Sequence, residues 1–292
     1  MVKDKIKDFQ HVTTTVRDKQ EAMWFYQELL GFKRAGRLSY GDARDFVIDF
    51  MDIGNNYLLE LFYFKKELYQ PTERLENDKQ EGMRHIGFKT NDLYKLAKKL
   101  KNEGIEFLTE PGDALGGVQA AVVKDPSGTV IKLVEGNYQY DMLGDETGLT
   151  NFPQSEELVF DHLTITVSNL DESFNFYSNI FKFPYLGKIV INDSKEGKVI
   201  SHFRIGNAIL ELYSFDIPTI PFLRNHDNTH LGLRHFGLLV DEVDPVMVHL
   251  KSIGAPILYQ PVDAIGGVRT CFFSDPDTVA IELIDGTCTY NG

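Results

Sequence analysis

At 292 residues the chain is long for one hydrophobic core and long enough for two domains. Its 42% hydrophobic and 25% charged residues are typical of a globular protein, and its net charge is −13. Because an acidic surface repels phosphate groups and anionic lipids, we expect neither nucleic acid nor a membrane as a partner.

The first predicted elements are a strand, a helix and a group of short strands. The strand FQHVTTTV carries His11. Asp18 and Glu21 have the spacing of a capping box at the start of the helix, which Gly31 ends. Short β-rich runs follow, among them DFVIDFMDI and NYLLELFYF. This segment therefore has the predicted order β-α-β-β-β.

The same order is predicted three more times along the chain. The opening strands of these segments carry His85, His162 and His235. Their predicted helices begin at Asn91 or Asp92, at the capping box of Asn169 and Glu172, and at Asp244-Pro245. The chain is thus predicted to be an α+β protein of four βαβββ modules.

The second half of the chain repeats the first half. LLELFYF matches ILELYSF, MRHIGF matches LRHFGL, and Gly-Gly-Val and Asp-Pro each recur in the same register. The polar stretch from Asn137 to Glu157 is predicted to join the two copies. Because an open sheet needs a partner that covers its second face, we predict two tandem domains of two modules each, residues 1–140 and 158–292.

Histidine and glutamate side chains occupy strands that are otherwise apolar on one face or both. In DHLTITV, His162 and Thr164 lie on one face, and the apolar residues lie on the other. Glu211 lies within ILELYSF, and Glu282 lies between two apolar residues in IELI. A carboxylate in such a strand is unfavourable unless a charge compensates it, and a divalent cation would do so.

The combined pattern predicts a metal site. A histidine is present in all four opening strands, and a glutamate occupies three of the four closing positions. Mixed imidazole and carboxylate ligands suit Fe, Mn, Co, Ni or Zn, and argue against a closed structural zinc site. We predict that one divalent metal ion is bound by His162, Glu211, His235 and Glu282.

These motifs resemble those of the vicinal oxygen chelate superfamily, which contains glyoxalase I, methylmalonyl-CoA epimerase, extradiol dioxygenases and bleomycin or fosfomycin resistance proteins. The similar features are the histidine strands, the Phe-Tyr helix, the ELxY-like strand and GGV…DPxG…IEL. The resemblance implies tandem glyoxalase-like domains, in which paired βαβββ modules form an open barrel around a metal. The ligand positions it implies are His11, Glu60, His85 and Lys132 in the first copy, and the four predicted ligands in the second.

Lys132 departs from the family pattern, because it aligns with Glu282. An ammonium group cannot bind a cation and repels it, so the first domain is predicted to have a degenerate metal site and the second a complete one. Some relatives instead pair the first module with the fourth. In that arrangement His11 and Glu60 replace the two ligands of the third module. We expect pairing within the copies, because the stretch between them is long.

The resemblance leaves three functions open. In the first, the metal holds two vicinal oxygens of a substrate and stabilises the enolate that forms when a neighbouring carbon loses its proton. Glu211 or Glu282 would be the general base of this lyase, isomerase or epimerase, which is the function we expect. The alternatives are an Fe(II) extradiol ring-cleaving dioxygenase and a non-catalytic small-molecule binding or resistance protein.

Weaker signals give the remaining expectations. The first residues lack the apolar region of a secretory signal, and the only two cysteines, Cys271 and Cys288, fit buried thiols in a reducing cytoplasm. Tyr213 is expected either to touch the substrate or to pack at the rim of the site. His202 is expected to face solvent rather than the cavity, and Arg269 is expected to be solvated rather than to hold a carboxylate of the substrate. The expected partner is a small-molecule substrate, and a homodimer is compatible with the sequence.

Overall fold

The computed structural model describes residues 6–40, 46–64, 77–144, 158–191, 195–222 and 229–292. These residues form seventeen strands and four α-helices. The helices are α1 (Lys19–Met23), α2 (Leu93–Asn102), α3 (Leu170–Phe174) and α4 (Val243–Ser252). A π-helical turn continues α1 (Trp24–Leu29) and α3 (Asn175–Ile180), and a 3₁₀ turn spans Leu115–Gly117. None of the described helices is long and apolar enough to cross a membrane.

Each module contributes one opening strand and three later strands. The first module has β1 (Ile6–Thr15), β2 (Lys33–Ser39), β3 (Phe46–Asp52) and β4 (Leu58–Phe64). The second has β5 (Gly82–Lys89), β6 (Phe107–Asp113), β7 (Gln119–Lys124) and β8 (Val130–Glu135), and the short β9 (Met142–Leu143) follows it. The third has β10 (Val159–Thr166), β11 (Tyr185–Val190), β12 (Val199–Ile205) and β13 (Ala208–Ser214). The fourth has β14 (Gly232–Val240), β15 (Ile257–Asp263), β16 (Arg269–Ser274) and β17 (Ala280–Asp285). The prediction of four βαβββ modules is confirmed.

Two mixed sheets combine modules from different copies. The first sheet has the strand order β15-β16-β17-β14-β1-β4-β3-β2, so it joins the fourth module to the first. The second sheet has the order β6-β7-β8-β5-β10-β13-β12-β11-β9, so it joins the second module to the third. The expected pairing of modules within each copy is therefore wrong, and the alternative pairing of the first module with the fourth is the observed one.

The opening strands pair with each other at the centre of each sheet. β1 and β14 are antiparallel with Thr13 opposite His235, and β5 and β10 are antiparallel with His85 opposite Thr164. Each opening strand also pairs in parallel with the closing strand of its own module, which places Glu60 opposite Thr13. The polar faces of two modules from different copies are thereby brought side by side.

The helices hold the two modules of one copy together. The hydroxyl of Tyr26, in the π-helical turn after α1, donates a 2.9 Å hydrogen bond to the buried carboxylate of Asp125 in the second module. Tyr177 donates the equivalent 2.6 Å bond to Asp275 in the fourth module. In each copy, the tyrosine of the repeated Phe-Tyr motif thus donates a hydrogen bond to the aspartate of the repeated Asp-Pro motif. Because this contact joins the modules of one copy through a helix and a turn, their opening strands remain available to pair with the other copy.

The predicted domain ranges, 1–140 and 158–292, follow the sequence repeat, whereas each sheet takes strands from both ranges. Of the predicted connecting stretch, residues 145–157 lie outside the described residues. Its first part pairs with the third module, because β9 is hydrogen-bonded to β11. The rings of Phe9 and Phe160 stack with centres 4.9 Å apart, and both belong to one hydrophobic cluster with residues of all four modules. The copies therefore share a core as well as sheets.

We expect Asp125→Asn to change how stability depends on pH. Burial raises the pKa of Asp125 from 3.8 to about 6, although hydrogen bonds from Thr129 and Tyr26 oppose this shift. The folded protein therefore binds this proton more tightly than the unfolded chain does. The resulting stabilisation is complete below pH 3.8 and is lost as the pH rises through about 6. From about pH 4 to about pH 7, the wild type should lose about 2 to 3 kcal/mol more unfolding free energy than the variant.

Urea unfolding at the two pH values measures this difference. Asp113→Asn, at an exposed position, is the matched control and should follow the wild type. An Asp125→Asn protein with the same pH dependence as the wild type would show that the buried carboxyl does not titrate in this range.

Candidate metal centre

One buried cluster combines side chains of the first and fourth modules. This first cluster consists of His11 on β1, Glu60 on β4, His235 on β14 and Glu282 on β17. The antiparallel pairing of β1 and β14 brings the two imidazoles to one face, with ring centres 5.2 Å apart. Because β4 and β17 flank the two opening strands, each adds a carboxylate to the same face.

Glu282 lies between the two imidazoles of the first cluster. Its Oε2 atom is 3.2 Å from Nε2 of His11 and 3.1 Å from Nε2 of His235. The Oε2 atom of Glu60 is farther away, at 3.8 Å and 4.0 Å from the same two nitrogens. The ligand-type atoms of His11, His235 and Glu282 lie within 4.8 Å of one another. These three groups are close enough to share one metal ion, with Glu60 beside them.

Two threonines that the sequence did not single out orient the carboxylates. Thr13 donates a 2.9 Å hydrogen bond to Glu60, and its Oγ1 atom lies 3.0 Å from Nε2 of His235. Thr270 donates a hydrogen bond to Glu282. Strand alternation is a signal that could have found Thr13, because residues two apart on a strand share a face and Thr13 is two residues after an opening histidine.

The residue before an opening histidine orients its ring. Gln10 contacts Nδ1 of His11, and the carboxylate of Asp161 lies 2.7 Å from Nδ1 of His162. A register shift precedes each of these histidines, and such bulges turn neighbouring side chains toward one face. These contacts fix which ring nitrogen faces the cluster. Regular strand alternation places adjacent residues on opposite faces, so it could not predict the contacts of Gln10 with His11 and of Asp161 with His162.

The first cluster has the charge and the unused nitrogen that a metal ion requires. Burial alone would lower the pKa of His11, but the carboxylates of Glu60 and Glu282 raise it above its ordinary value. Burial alone would raise the pKa of Glu282, but the two neighbouring imidazoles, His11 and His235, hold it well below its usual range. Among the described residues, buried Nε2 of His11 has no partner with hydrogen-bond geometry. This donor set fits a divalent cation of the Fe, Mn, Co, Ni or Zn type.

A cavity of about 380 Å³ lies beside the first cluster. His235 and Thr270 form part of its wall, and Leu258 and Phe272 add apolar surface. Tyr259, also in the wall, is 55% exposed and marks the opening to solvent. The size and lining suit a small molecule with one polar end at the cluster and an apolar remainder.

The equivalent position in the second sheet holds a second cluster, which consists of His85 on β5, Lys132 on β8, His162 on β10 and Glu211 on β13. The Nε2 atoms of His85 and His162 are 3.7 Å and 3.9 Å from Oε1 of Glu211, and these three residues also have metal-ligand spacing. However, Nζ of Lys132 is 3.9 Å from the same oxygen. At an effective dielectric constant near 20, an ammonium group repels a divalent ion about 4 Å away by about 8 kcal/mol. The ammonium and a metal ion therefore compete for one place.

His202, which was expected to face solvent, contacts the second cluster. This expectation is wrong, because His202 is fully buried and its Nε2 atom lies 2.8 Å from Oε2 of Glu211. The hydroxyl of Tyr140 lies 3.0 Å from its other ring nitrogen. Tyr213 is buried too, and the ammonium of Lys198 lies 3.6 Å from its ring centre, so it packs within the structure.

The ammonium of Lys132 makes the pKa values in the second cluster differ from those in the first. Burial alone would raise the pKa of Glu211, but the charges of Lys132 and His162 and the hydrogen bond from His202 hold it well below its usual range. Burial, Lys132 and His162 together lower the pKa of His85 well below its ordinary value. His85 is therefore neutral beside an ionised carboxylate and a charged lysine.

The predicted ligand set is divided between the two clusters. His162 and Glu211 belong to the second, and His235 and Glu282 belong to the first, because each sheet joins modules from different copies. The alternative set is the one that the structure brings together: His11, Glu60, His235 and Glu282. Glu211 is thus in a different sheet from Glu282 and does not face the same site.

The remaining predicted residues lie outside both clusters or at their edge. Arg269 was expected to face solvent, and it is one-third exposed and paired with Asp244 and Asp263 at the surface. Cys271 is fully buried, as predicted, whereas Cys288 is only half-buried.

Both halves of the chain match known proteins. The model of the Glyoxalase/Bleomycin resistance protein/Dioxygenase superfamily matches residues 8–133 and 159–283. A lactoylglutathione lyase of Oryza sativa is 25% identical over 97% of this chain and 90% of its own length. The Escherichia coli protein YaeR is 29% identical over 42% of this chain and 93% of its own length, so it corresponds to one copy. The crystal structure of glyoxalase I from Zea mays has a TM-score of 0.71 at 21% identity, covering 97% of this chain and 94% of that one, and shows the same fold.

We expect Gly237→Ala to reduce metal binding, and Gly87→Ala to leave it unchanged. A methyl group at Gly237 would overlap the ring of His11, and one at Gly87 would overlap the ring of His162. The two variants therefore impose the same steric change on the two clusters. Elemental analysis of each purified protein measures the metal bound per chain. A Gly237→Ala protein with the metal content and affinity of the wild type would contradict the assignment of His11 as a ligand.

Proposed function

The chain belongs to the Glyoxalase/Bleomycin resistance protein/Dioxygenase superfamily, and from that premise we propose that it is a metal-dependent lyase of the glyoxalase I type. Its substrate would be the adduct of a 2-oxoaldehyde with a thiol such as glutathione, which carries a hydroxyl and a carbonyl on adjacent carbons. The single observation that carries the proposal is the convergence of two imidazoles and two carboxylates beside an open cavity. The similarity to a lactoylglutathione lyase along nearly the whole chain supports the choice of substrate.

The residues that would hold the metal are those of the first cluster. A bound divalent cation would polarise the substrate carbonyl and stabilise the negative charge that develops on the two adjacent oxygens. Glu282 is the better fixed carboxylate, because it lies between His11 and His235 and accepts a hydrogen bond from Thr270. We therefore assign Glu282 as a permanent ligand.

Glu60 is the carboxylate that is able to move a proton. It lies 3.8 Å and 4.0 Å from the imidazole nitrogens, and Thr13 is its hydrogen-bond donor. A carboxylate that is held less tightly can take the proton from the carbon that bears the sulfur and return it to the neighbouring carbon. When the hydroxyl proton also moves to the neighbouring carbonyl oxygen, this transfer converts the hydroxyl and carbonyl of the adduct into a thioester carbonyl and a hydroxyl without any net gain or loss of atoms. Glu60 thus takes the base role that the sequence suggested for Glu211 or Glu282.

The cavity beside the cluster determines how the substrate would lie. The oxygens of the substrate would face His235 and Thr270, and its apolar part would lie against Leu258 and Phe272. Tyr259 is exposed at the opening, where the thiol part would extend toward solvent. This arrangement would place the reacting carbons inside the cavity and leave room for a bulky thiol at its opening.

We expect Glu60→Gln and Glu282→Gln to fail in different ways. Glu60→Gln removes the base, so kcat for methylglyoxal and glutathione should fall by about 10²- to 10⁴-fold while the metal stays bound. Glu282→Gln removes a ligand, so the metal content should fall sharply from about one equivalent per chain. Thioester formation and elemental analysis measure the two effects.

Glu211→Gln is the matched control for these variants, because it makes the same change in the second cluster. Its kcat per folded molecule should equal that of the wild type. Loss of metal from Glu60→Gln with no loss from Glu282→Gln would reverse the two assigned roles. A metal-loaded wild type that is inactive toward every oxoaldehyde and thiol pair would contradict the proposed function.

An Fe(II) ring-cleaving dioxygenase is the second candidate, because His11, His235 and Glu282 form a triad of two histidines and one carboxylate. Glu60 counts against it, since this second carboxylate, as a fourth ligand, would occupy the side on which oxygen must bind. The test is oxygen uptake by the ferrous-loaded protein with a panel of catechols. Stoichiometric uptake with a coloured ring-cleaved product would replace the lyase proposal.

A non-catalytic binding protein is the remaining alternative. The apolar part of the cavity would then bind its ligand without a metal. Equally tight binding of a ligand before and after treatment with EDTA would favour this alternative over both enzymes.

A further inference from the structure

We propose that the second cluster is a metal-free counterpart of the first, in which the ammonium of Lys132 supplies the positive charge that a metal ion supplies at the first cluster. In this role the second cluster joins the two copies without any metal. The inference concerns different residues from those of the proposed active site.

The position of the ammonium is the first support. Lys132 lies opposite Gly87 on the parallel pair β5 and β8, as Glu282 lies opposite Gly237 on β14 and β17. Its side chain is only 14% exposed, and its Nζ atom is 3.9 Å from Oε1 of the fully buried Glu211. A buried carboxylate needs a counter-charge, and this ammonium supplies one from within the chain.

The hydrogen bonds of the second cluster are the second support. Oε1 and Oε2 of Glu211 accept from Thr164 and His202, at 2.8 Å each. Nε2 of His85 lies 2.8 Å from the Thr164 hydroxyl and 3.3 Å from Nε2 of His162. Each atom that would bind a metal therefore has a partner inside the protein. The first cluster differs, because Nε2 of His11 has no partner with hydrogen-bond geometry among the described residues.

The space around the second cluster is the third support. Tyr138 follows β8 and reaches His162, with its hydroxyl 3.4 Å from Nδ1, and its ring centre lies 4.7 Å from that of His202. In the first cluster, Cys288 follows β17 at the position that corresponds to Tyr138, and Phe50 lies opposite Glu60 at the position that corresponds to His202. A tyrosine and a histidine thus occupy the second site where the first has smaller or apolar side chains.

The second cluster also bridges the two copies. His85 and Lys132 come from the first copy, whereas His162, His202 and Glu211 come from the second. Their contacts cross the central strand pair β5 and β10. Its ion pair and hydrogen bonds therefore hold this sheet together whether or not a metal is present. In the first sheet, two carboxylates lie within 4.0 Å of imidazole nitrogens, where a cation would join these groups.

Exchange of the two charges tests the proposal. Zn²⁺ or Ni²⁺ is added to EDTA-treated full-length protein, and the bound ions per chain are counted by native mass spectrometry. We expect one ion for the wild type, none for Glu282→Lys, two for Lys132→Glu, and one for the double variant, in which the site has moved to the second sheet. Lys98→Glu, the same change at an exposed position of α2, should bind one ion.

Thermal unfolding with and without EDTA gives a second readout. EDTA should lower the unfolding temperature of the wild type, leave Glu282→Lys unaffected, and lower that of Lys132→Glu further. Lys132→Gln should unfold about 5 °C below the wild type, because Glu211 then keeps its hydrogen bonds but loses its counter-charge. If Lys132→Glu does not fold, Lys132→His adds a neutral ligand at the same place and should bind a second ion.

The results that would overturn this inference differ from those that would contradict the proposed function. Two ions in the wild type, or one ion retained by Glu282→Lys, would overturn the inference, because a metal would then occupy the second cluster beside Lys132. A second ion absent from both folded Lys132→Glu and folded Lys132→His would also overturn it. An inactive wild type that binds one ion would contradict only the lyase proposal.

Discussion

The antiparallel pairing of opening strands from different copies is the constraint on which the rest of the structure depends. It places Thr13 opposite His235 and His85 opposite Thr164, so that each candidate site receives one histidine from each copy. The closing strands then have only one position available, on the outer side of their own opening strands. Once these pairs form, the location of every carboxylate in both clusters is fixed by the two-residue period of the strand.

The two sheets have the same fold, but the buried charges of their clusters are balanced in different ways. In the first cluster, two carboxylates lie beside two imidazoles, and Nε2 of His11 has no partner with hydrogen-bond geometry in the described part of the chain, so the group is incomplete without a cation. In the second, Lys132 completes the charge balance and His202 and Tyr138 fill the space. A charge reversal at the positions of Lys132 and Glu282, together with the side chains of His202 and Tyr138, therefore distinguishes the second cluster from the candidate active site.

The modules and the polar faces of their strands could be predicted from the sequence, because both follow from local periodicity. The histidines and Glu282 are visible in that way, and so is the departure at Lys132. The pairing of modules could not be predicted, because the strand patterns are the same whichever copy supplies the neighbour. The deciding contacts, such as Tyr26 with Asp125, lie between a helix and a turn that are far apart in the chain. His202 was missed because the burial of a strand position depends on the segments packed over it, here the one that carries Tyr140.

Each sheet combines strands of both copies, and this arrangement suggests how the two sites came to differ. In this arrangement a chain of one copy, such as one with the length of YaeR, can complete a sheet only with a second identical chain. Twofold symmetry would then make both sites identical, and any mutation would appear in each of them. Joining the copies in one polypeptide removes that restriction. A lysine can then arise at position 132 while position 282 keeps its glutamate, so that duplication permits one centre to specialise without loss of the other.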